Sequence, residues 1–341
     1  MGNSTVGKAS RTKAQRPKPP RHQHSPVAAS YVLVIEWLPL NDGERRTGSE
    51  LAEVIEQWQR VELRVCWTRD DIIAALTEAH AHLKATGEIP IVHFEAHGFT
   101  DREDGADRAG ICFSQRGGIE QELTWSEIAP YLRALNHDSQ CRLLVVGASC
   151  FGLAGLDMWS IDSFAPFSSI IGFNAKVSTT TLASSMRELY HQLFVGGHKN
   201  IPLAVEAANR ELRDGEHLVT TSMHKHVGDT LRGFINRELD PRTRTVDFER
   251  LKILHNANHP DDPWGDETLN YHWRVIAERH CNRLLEVCFD YATFPENRRR
   301  FPVSVRALLN AATRRIEKRS PLPPSQARDK WPPVSAPVIN A

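Results

Sequence analysis

Leu143-Leu-Val-Val146 runs into Gly147-Ala-Ser-Cys-Phe-Gly152, and the stretch from Ile89 to Ala96 runs into His97-Gly98. Each is a short apolar run closed by small residues, the pattern of a strand buried on both faces. The sequence around them alternates between strand and helix. Tyr31 to Ile35 is another apolar run, and Leu51, Val54, Ile55 and Trp58 follow at helical spacing. Val61 to Trp67 alternates apolar and polar, as a half-exposed strand does. Thr68 and Asp71 form a capping box ahead of the stripe Ile72, Leu76, Ala79 and Leu83. Ile111 to Phe113 and Glu120 to Leu123, divided by Arg116-Gly-Gly118, predict a hairpin. Thr124 and Glu127 cap a helix that Pro130 is expected to bend or shorten. Ser169 to Phe173 predicts a further strand, and Leu182, Met186, Leu189 and Leu193 a further helix. Such alternation over about 180 residues predicts an α/β fold, a mostly parallel sheet with helices on both faces.

The chain has 341 residues, of which 40% are hydrophobic and 25% charged, the composition of a globular protein rather than a disordered or fibrous one. No apolar run approaches the roughly 20 residues of a membrane span, and the first thirty residues lack the apolar core of a secretory signal. Six cysteines lie far apart with no CxxC pair, a usage that fits a reducing compartment. These features do not fit a membrane protein, a disulfide scaffold or a zinc ribbon, and a cytoplasmic location is expected.

Basic and acidic residues balance at 42 each, but unevenly along the chain. Residues 1–29 carry Lys8, Arg11, Lys13, Arg16, Lys18 and Arg21 with no acid and several prolines, which predicts a disordered, solvated tail and no specific nucleic-acid partner. Residues 30–235 hold the alternating pattern. In residues 236–319, Leu269, Trp273, Ile276, Leu284 and Val287 predict one long helix and Val303 to Ile316 another, a small helical C-terminal region. The basic residues between 296 and 319 are expected to be a solvated helix face. Residues 320–341 are rich in proline and predict a second disordered tail.

In an open parallel sheet, ligands bind beyond the carboxyl ends of the strands. Two strand ends here carry reactive residues, His97-Gly98 and Cys150. A thiol attacks as thiolate and needs a nearby base or a positive local field. A tight turn from Cys150 into a helix would add helix N-terminal amides to that field. The histidine precedes the cysteine by about 50 residues, the order and spacing found in caspases.

At these residues the chain resembles the caspase-like peptidases, in particular the bacterial CHAT proteases related to caspases, metacaspases and separases. Ile91-Val-His-Phe-Glu-Ala-His97-Gly98 resembles their strand leading to the catalytic histidine, and Leu144-Val-Val-Gly-Ala-Ser-Cys150-Phe-Gly their strand leading to the nucleophile. Leu123-Thr-Trp-Ser-Glu-Ile, Ile170-Ile-Gly-Phe-Asn and Asn200 to Leu212 fit the intervening and following elements. The resemblance implies a cysteine endopeptidase without cofactor or metal. His97 would be the general base, Cys150 the nucleophile, and the backbone amides of Gly98 and Cys150 the oxyanion hole. It also implies a protein substrate, a toxin or pore-forming protein cleaved in bacterial antiviral defence, and an activator protein. There are departures. Ala148 stands where caspases have Gln and metacaspases Asp. Arg45-Arg46-Thr47-Gly48 resembles the arginine with which caspases read an aspartate side chain, and reads equally as a solvated loop before a helix.

Other constellations lead elsewhere. His93, Glu95 and His97 alternate on one strand but lack HExxH spacing and a fourth ligand. His255, His259, Asp261 and Asp262 sit among Pro260, Pro263 and Gly265, which reads as a loop. Ser149 nearly forms a serine elbow, with His191, His198 or His217 downstream, but G-x-S-x-G requires Gly where Phe151 stands. A serine α/β-hydrolase is therefore one alternative. A partner-binding pseudoprotease of the same fold is another.

Overall fold

The structure is a computed structural model and describes residues 28–39, 46–103, 106–115, 118–196, 198, 200–210, 216–239 and 246–319. Arg45 and both expected tails, apart from residues 28 and 29, lie outside the described residues. The elements follow in chain order. Strand β1 (Tyr31–Trp37) leads to helix α1 (Thr47–Ile55), β2 (Val61–Val65) and α2 (Arg69–Thr86). Next come β3 (Pro90–Glu103), β4 (Ala106–Gln115), β5 (Gly118–Thr124), α3 (Trp125–Asp138) and β6 (Leu144–Ala148). A 3-10 helix (Gly152–Met158), β7 (Ser169–Phe173), α4 (Thr179–Phe194), α5 (Ile201–Asn209) and β8 (Leu218–Ser222) complete the sheet region. Helices α6 (Met223–Leu239), α7 (Val246–Asn258), α8 (Asp266–Phe289), α9 (Asn297–Arg300) and α10 (Val305–Arg319) end the chain.

The sheet runs in the order β2-β1-β3-β6-β7-β8, parallel except for β8, which is antiparallel to β7. This is the α/β architecture that the alternation predicts. Side chains alternate strictly between two cores. Leu33, Ile35, Val92, Phe94 and Val145 face α2, α3 and the C-terminal helices. Val32, Val34, Ile91, Leu144 and Val146 face α1, α4 and α5. Both expected capping boxes form, at Thr68–Asp71 and Thr124–Glu127.

Two expectations need correction, and one strand has no counterpart in the sequence reading. β3 does not end at Ala96. It continues to Glu103 and pairs antiparallel with β4, which pairs in turn with β5, so the hairpin becomes a three-stranded extension of the sheet. α3 runs through Pro130 at full length, because the carbonyl deprived of a donor belongs to exposed Ser126, where water can serve it. β8 falls in a stretch with little apolar periodicity, since only Leu218 of its five residues is buried.

The C-terminal helices share a core with the sheet. Leu231 and Ile235 of α6, Cys281, Leu285 and Phe289 of α8 and Leu309 of α10 join the same buried cluster as Phe167 and Met158. The boundary expected at 235/236 falls inside α6. Arg300 fastens this layer to the chain entering β6, donating to the carbonyls of Gln140 (2.5 Å) and Cys141 (2.8 Å). Both residues are left-handed, with φ of 57° and 56°. Among the described residues no helix is long and apolar enough to cross a membrane.

Candidate active site

The parallel ladder between β3 and β6 runs from Ile91 opposite Leu144 to Glu95 opposite Ala148. His97 and Cys150 each stand two residues beyond that last rung. There the two chains part. β3 continues toward β4, with His97 opposite Cys112, while the chain after β6 folds back at Phe151, whose φ is 57°. The backbones touch at this fork. A Cβ on Gly98 would stand 1.8 Å from the Cys150 carbonyl oxygen and 3.2 Å from its nitrogen, so only glycine fits. The turn into the 3-10 helix is as close, since a Cβ on Gly152 would lie 2.1 Å from the Gly147 oxygen. The helix expected after this turn is a seven-residue 3-10 helix, so no α-helical N-terminus follows Cys150.

The loop between β7 and α4 closes the other side. The Val177 amide donates to the Cys150 sulfur (3.5 Å), and the Phe151 amide donates to the Ala175 carbonyl (3.2 Å). Cys150 is partly exposed, whereas the other five cysteines are buried. Burial pushes the Cys66 and Cys141 thiols up to about 12 and those of Cys112 and Cys281 up to about 11, and it raises Cys288 as well. For Cys112 the charges of Glu122 and Cys150 add to the burial. A thiol held in its neutral form is a poor nucleophile, so these five buried cysteines are unsuited to attack, and Cys150 is the one that solvent reaches.

The other sequence candidates are placed differently. Ser149 is 1% exposed, beside the accessible Cys150. His191 lies edge-on to Trp58, ring centres 5.3 Å apart. His255 belongs to α7 rather than to a loop, and its ring stacks on Trp264 at 3.7 Å and on His259 at 4.6 Å. Ala148 is wholly buried. Arg46 pairs with Glu36 (3.4 Å) and lies over the Trp67 ring.

The sequence gives little sign of the polar network behind His97. Glu36 and Glu95 are direct partners across β1 and β3, and both are buried. Ser49 at the start of α1 donates to Glu36 through its amide (3.0 Å) and hydroxyl (2.6 Å), and Thr47 donates to Glu95. His93 Nε2 lies 2.9 Å from Glu95, and His93 Nδ1 lies 3.0 Å from the Tyr190 hydroxyl. The alternation of His93, Glu95 and His97 is the one trace of this network in the sequence. Its other members come from β1, α1 and α4, and only folding brings them together.

No family model and no curated protein matches the chain. Among solved structures, protein GSU0716 from Geobacter sulfurreducens is similar at 12% identity and a TM-score of 0.37, over 56% of this chain and 93% of that one.

Proposed function

We propose that this protein is a caspase-like cysteine endopeptidase of the CHAT type, acting through a dyad of His97 and Cys150. The observation that carries the reading is the contact between Gly98 and Cys150. It joins the residue after the histidine to the one accessible thiol at the carboxyl edge of a parallel sheet. In the proposed reaction His97 takes the thiol proton and the sulfur attacks the peptide carbonyl. The amides of Gly98 and Cys150 receive the oxyanion. Collapse of the tetrahedral adduct breaks the C–N bond, and His97 returns the proton to the leaving amine. Water, deprotonated by His97, then hydrolyses the thioester and restores the thiol. The chemistry uses no cofactor or metal.

The expected substrate is a protein, a toxin or pore-forming protein cleaved when an activator protein engages the enzyme in the cytoplasm during antiviral defence. A neutral or apolar residue is expected before the cut. Ala148 supplies no carboxylate to hold a cation, and the charge of Arg46 is offset by Glu36. A positional-scanning peptide library, with an iodoacetamide probe beside it, tests the whole reading. Hydrolysis that disappears in Cys150→Ala supports it. Labelling of Cys150 without hydrolysis of any peptide or candidate protein would favour a partner-binding pseudoprotease, and hydrolysis surviving Cys150→Ala but lost in Ser149→Ala would favour a serine hydrolase.

A further inference from the structure

The face of the sheet that meets α1 and α4 is apolar along its lower rungs, through Val32, Val34, Ile91, Leu144 and Val146. Near its carboxyl edge it turns polar. Glu36 and Glu95 stand side by side there, 0% and 2% exposed. Two adjacent carboxylates out of water are costly, and apolar side chains would fill the same space at lower cost. Donors converge on both instead. A Cβ on Gly48 would stand 3.0 Å from Glu36 Oε1 and 3.1 Å from Glu95 Cβ, so glycine lets the first turn of α1 settle onto the pair.

The hydrogen bonds around Glu95 have one consistent direction. A carboxylate only accepts, so Thr47 and His93 Nε2 donate to it. With the Nε2 hydrogen directed at Glu95, His93 accepts at Nδ1 from the Tyr190 hydroxyl. Burial, followed by the charge of Glu95, holds the Tyr190 phenol well above its ordinary value, which keeps it a donor. Titratable groups near Glu95 include Glu36 on β1, Arg46 before α1, His93 on β3 and Tyr190 on α4, and His97 follows two residues on along β3.

We infer that Glu95 is a positioning residue, which ties β3 to α1 through Thr47 and to α4 through His93 and Tyr190 and so holds His97-Gly98 in register with Cys150. The inference rests on the dyad reading. It explains why a costly polar cluster occupies the position two residues before His97 on the same strand. Small displacements of a reacting group cost about 10²-fold in rate, so such a tie has kinetic value.

The test measures alkylation of Cys150 by iodoacetamide, followed by mass spectrometry from about pH 5 to about pH 9. Glu95→Gln and Thr47→Val are expected to slow alkylation roughly tenfold and to move the pH midpoint toward that of His97→Ala. Thr47→Ser, which keeps the hydroxyl, is expected to restore the wild-type profile. Should Glu95→Gln not fold, Thr47→Val decides, because it replaces one small buried side chain by another of the same shape. A folded Thr47→Val with a wild-type profile would overturn the inference. A wild-type profile in His97→Ala would instead overturn the dyad beneath it.

Discussion

Gly98 rests directly on Cys150: a methyl group on its α-carbon would stand 1.8 Å from the Cys150 carbonyl oxygen. The neighbouring atoms are backbone, so no side chain can swing aside. Gly98→Ala is therefore expected to displace the Cys150 loop, lowering peptide hydrolysis by about 10²-fold and stability by about 1–3 kcal/mol. Gly87→Ala is the contrasting variant. A Cβ there meets nothing within 4 Å, but its φ of 75° imposes about 1 kcal/mol of strain. It is expected to lower stability in denaturant titration and leave hydrolysis unchanged.

Cysteine substitutions should separate cleanly. Cys150→Ala removes the proposed nucleophile and His97→Ala the proposed base, and the latter is expected to cost about 10²–10⁴-fold in turnover. Cys141→Ala, with its thiol buried and neutral at working pH, is expected to keep activity and lose some stability. Full activity in Cys150→Ala would refute the assignment.

The C-terminal helices should prove indispensable for folding. A chain ending at Leu239 would expose the surfaces of α6 and the sheet-side core that α8 and α10 cover. It is expected to lose its cooperative thermal transition, read by circular dichroism. Arg300→Met removes both donors to the Gln140 and Cys141 carbonyls and is expected to cost about 1–3 kcal/mol.

Acid should loosen the start of α2. The amides of Trp67 and Thr68 donate to Asp71 (2.9 Å each) and hold its carboxyl below the ordinary 3.8. A carboxyl whose folded value is depressed adds stability above its unfolded value and loses it as pH falls through the folded one. At neutral pH Asp71→Ala is expected to cost about 1 kcal/mol. The charge contributes only part of that, because solvent screens this exposed site. The gap between variant and wild type should narrow as pH falls from the ordinary 3.8 through the depressed folded value in parallel urea titrations. A gap that stays constant with pH would show that the charge contributes nothing.

Local pattern was enough for most of the elements and for the two strand ends that carry the candidate site. The runs at Tyr31 to Ile35 and Leu143 to Val146 declare buried strands, and the Thr68 and Thr124 boxes declare helix starts, because each signal lies within a few residues. His97-Gly98 and Cys150 were legible for the same reason, as reactive residues closing apolar runs. Three features depend on partners distant in sequence. β3 runs on to Glu103 because β4 supplies the hydrogen bonds, and Leu218 to Ser222 becomes a strand because β7 offers its edge. The pairing of Glu36 with Glu95, and the donors Thr47, Ser49 and His93 around them, arise from a register between strands and the seating of α1 on their ends. The sequence by itself determined the alternation of strands and helices around the sheet's parallel core and which side chains are candidates to react, since periodicity and capping are local. Tertiary structure decided which of those groups meet, which cysteine solvent reaches and which carboxylates share a buried rung, since burial and cross-strand register exist only once the chain has closed on itself.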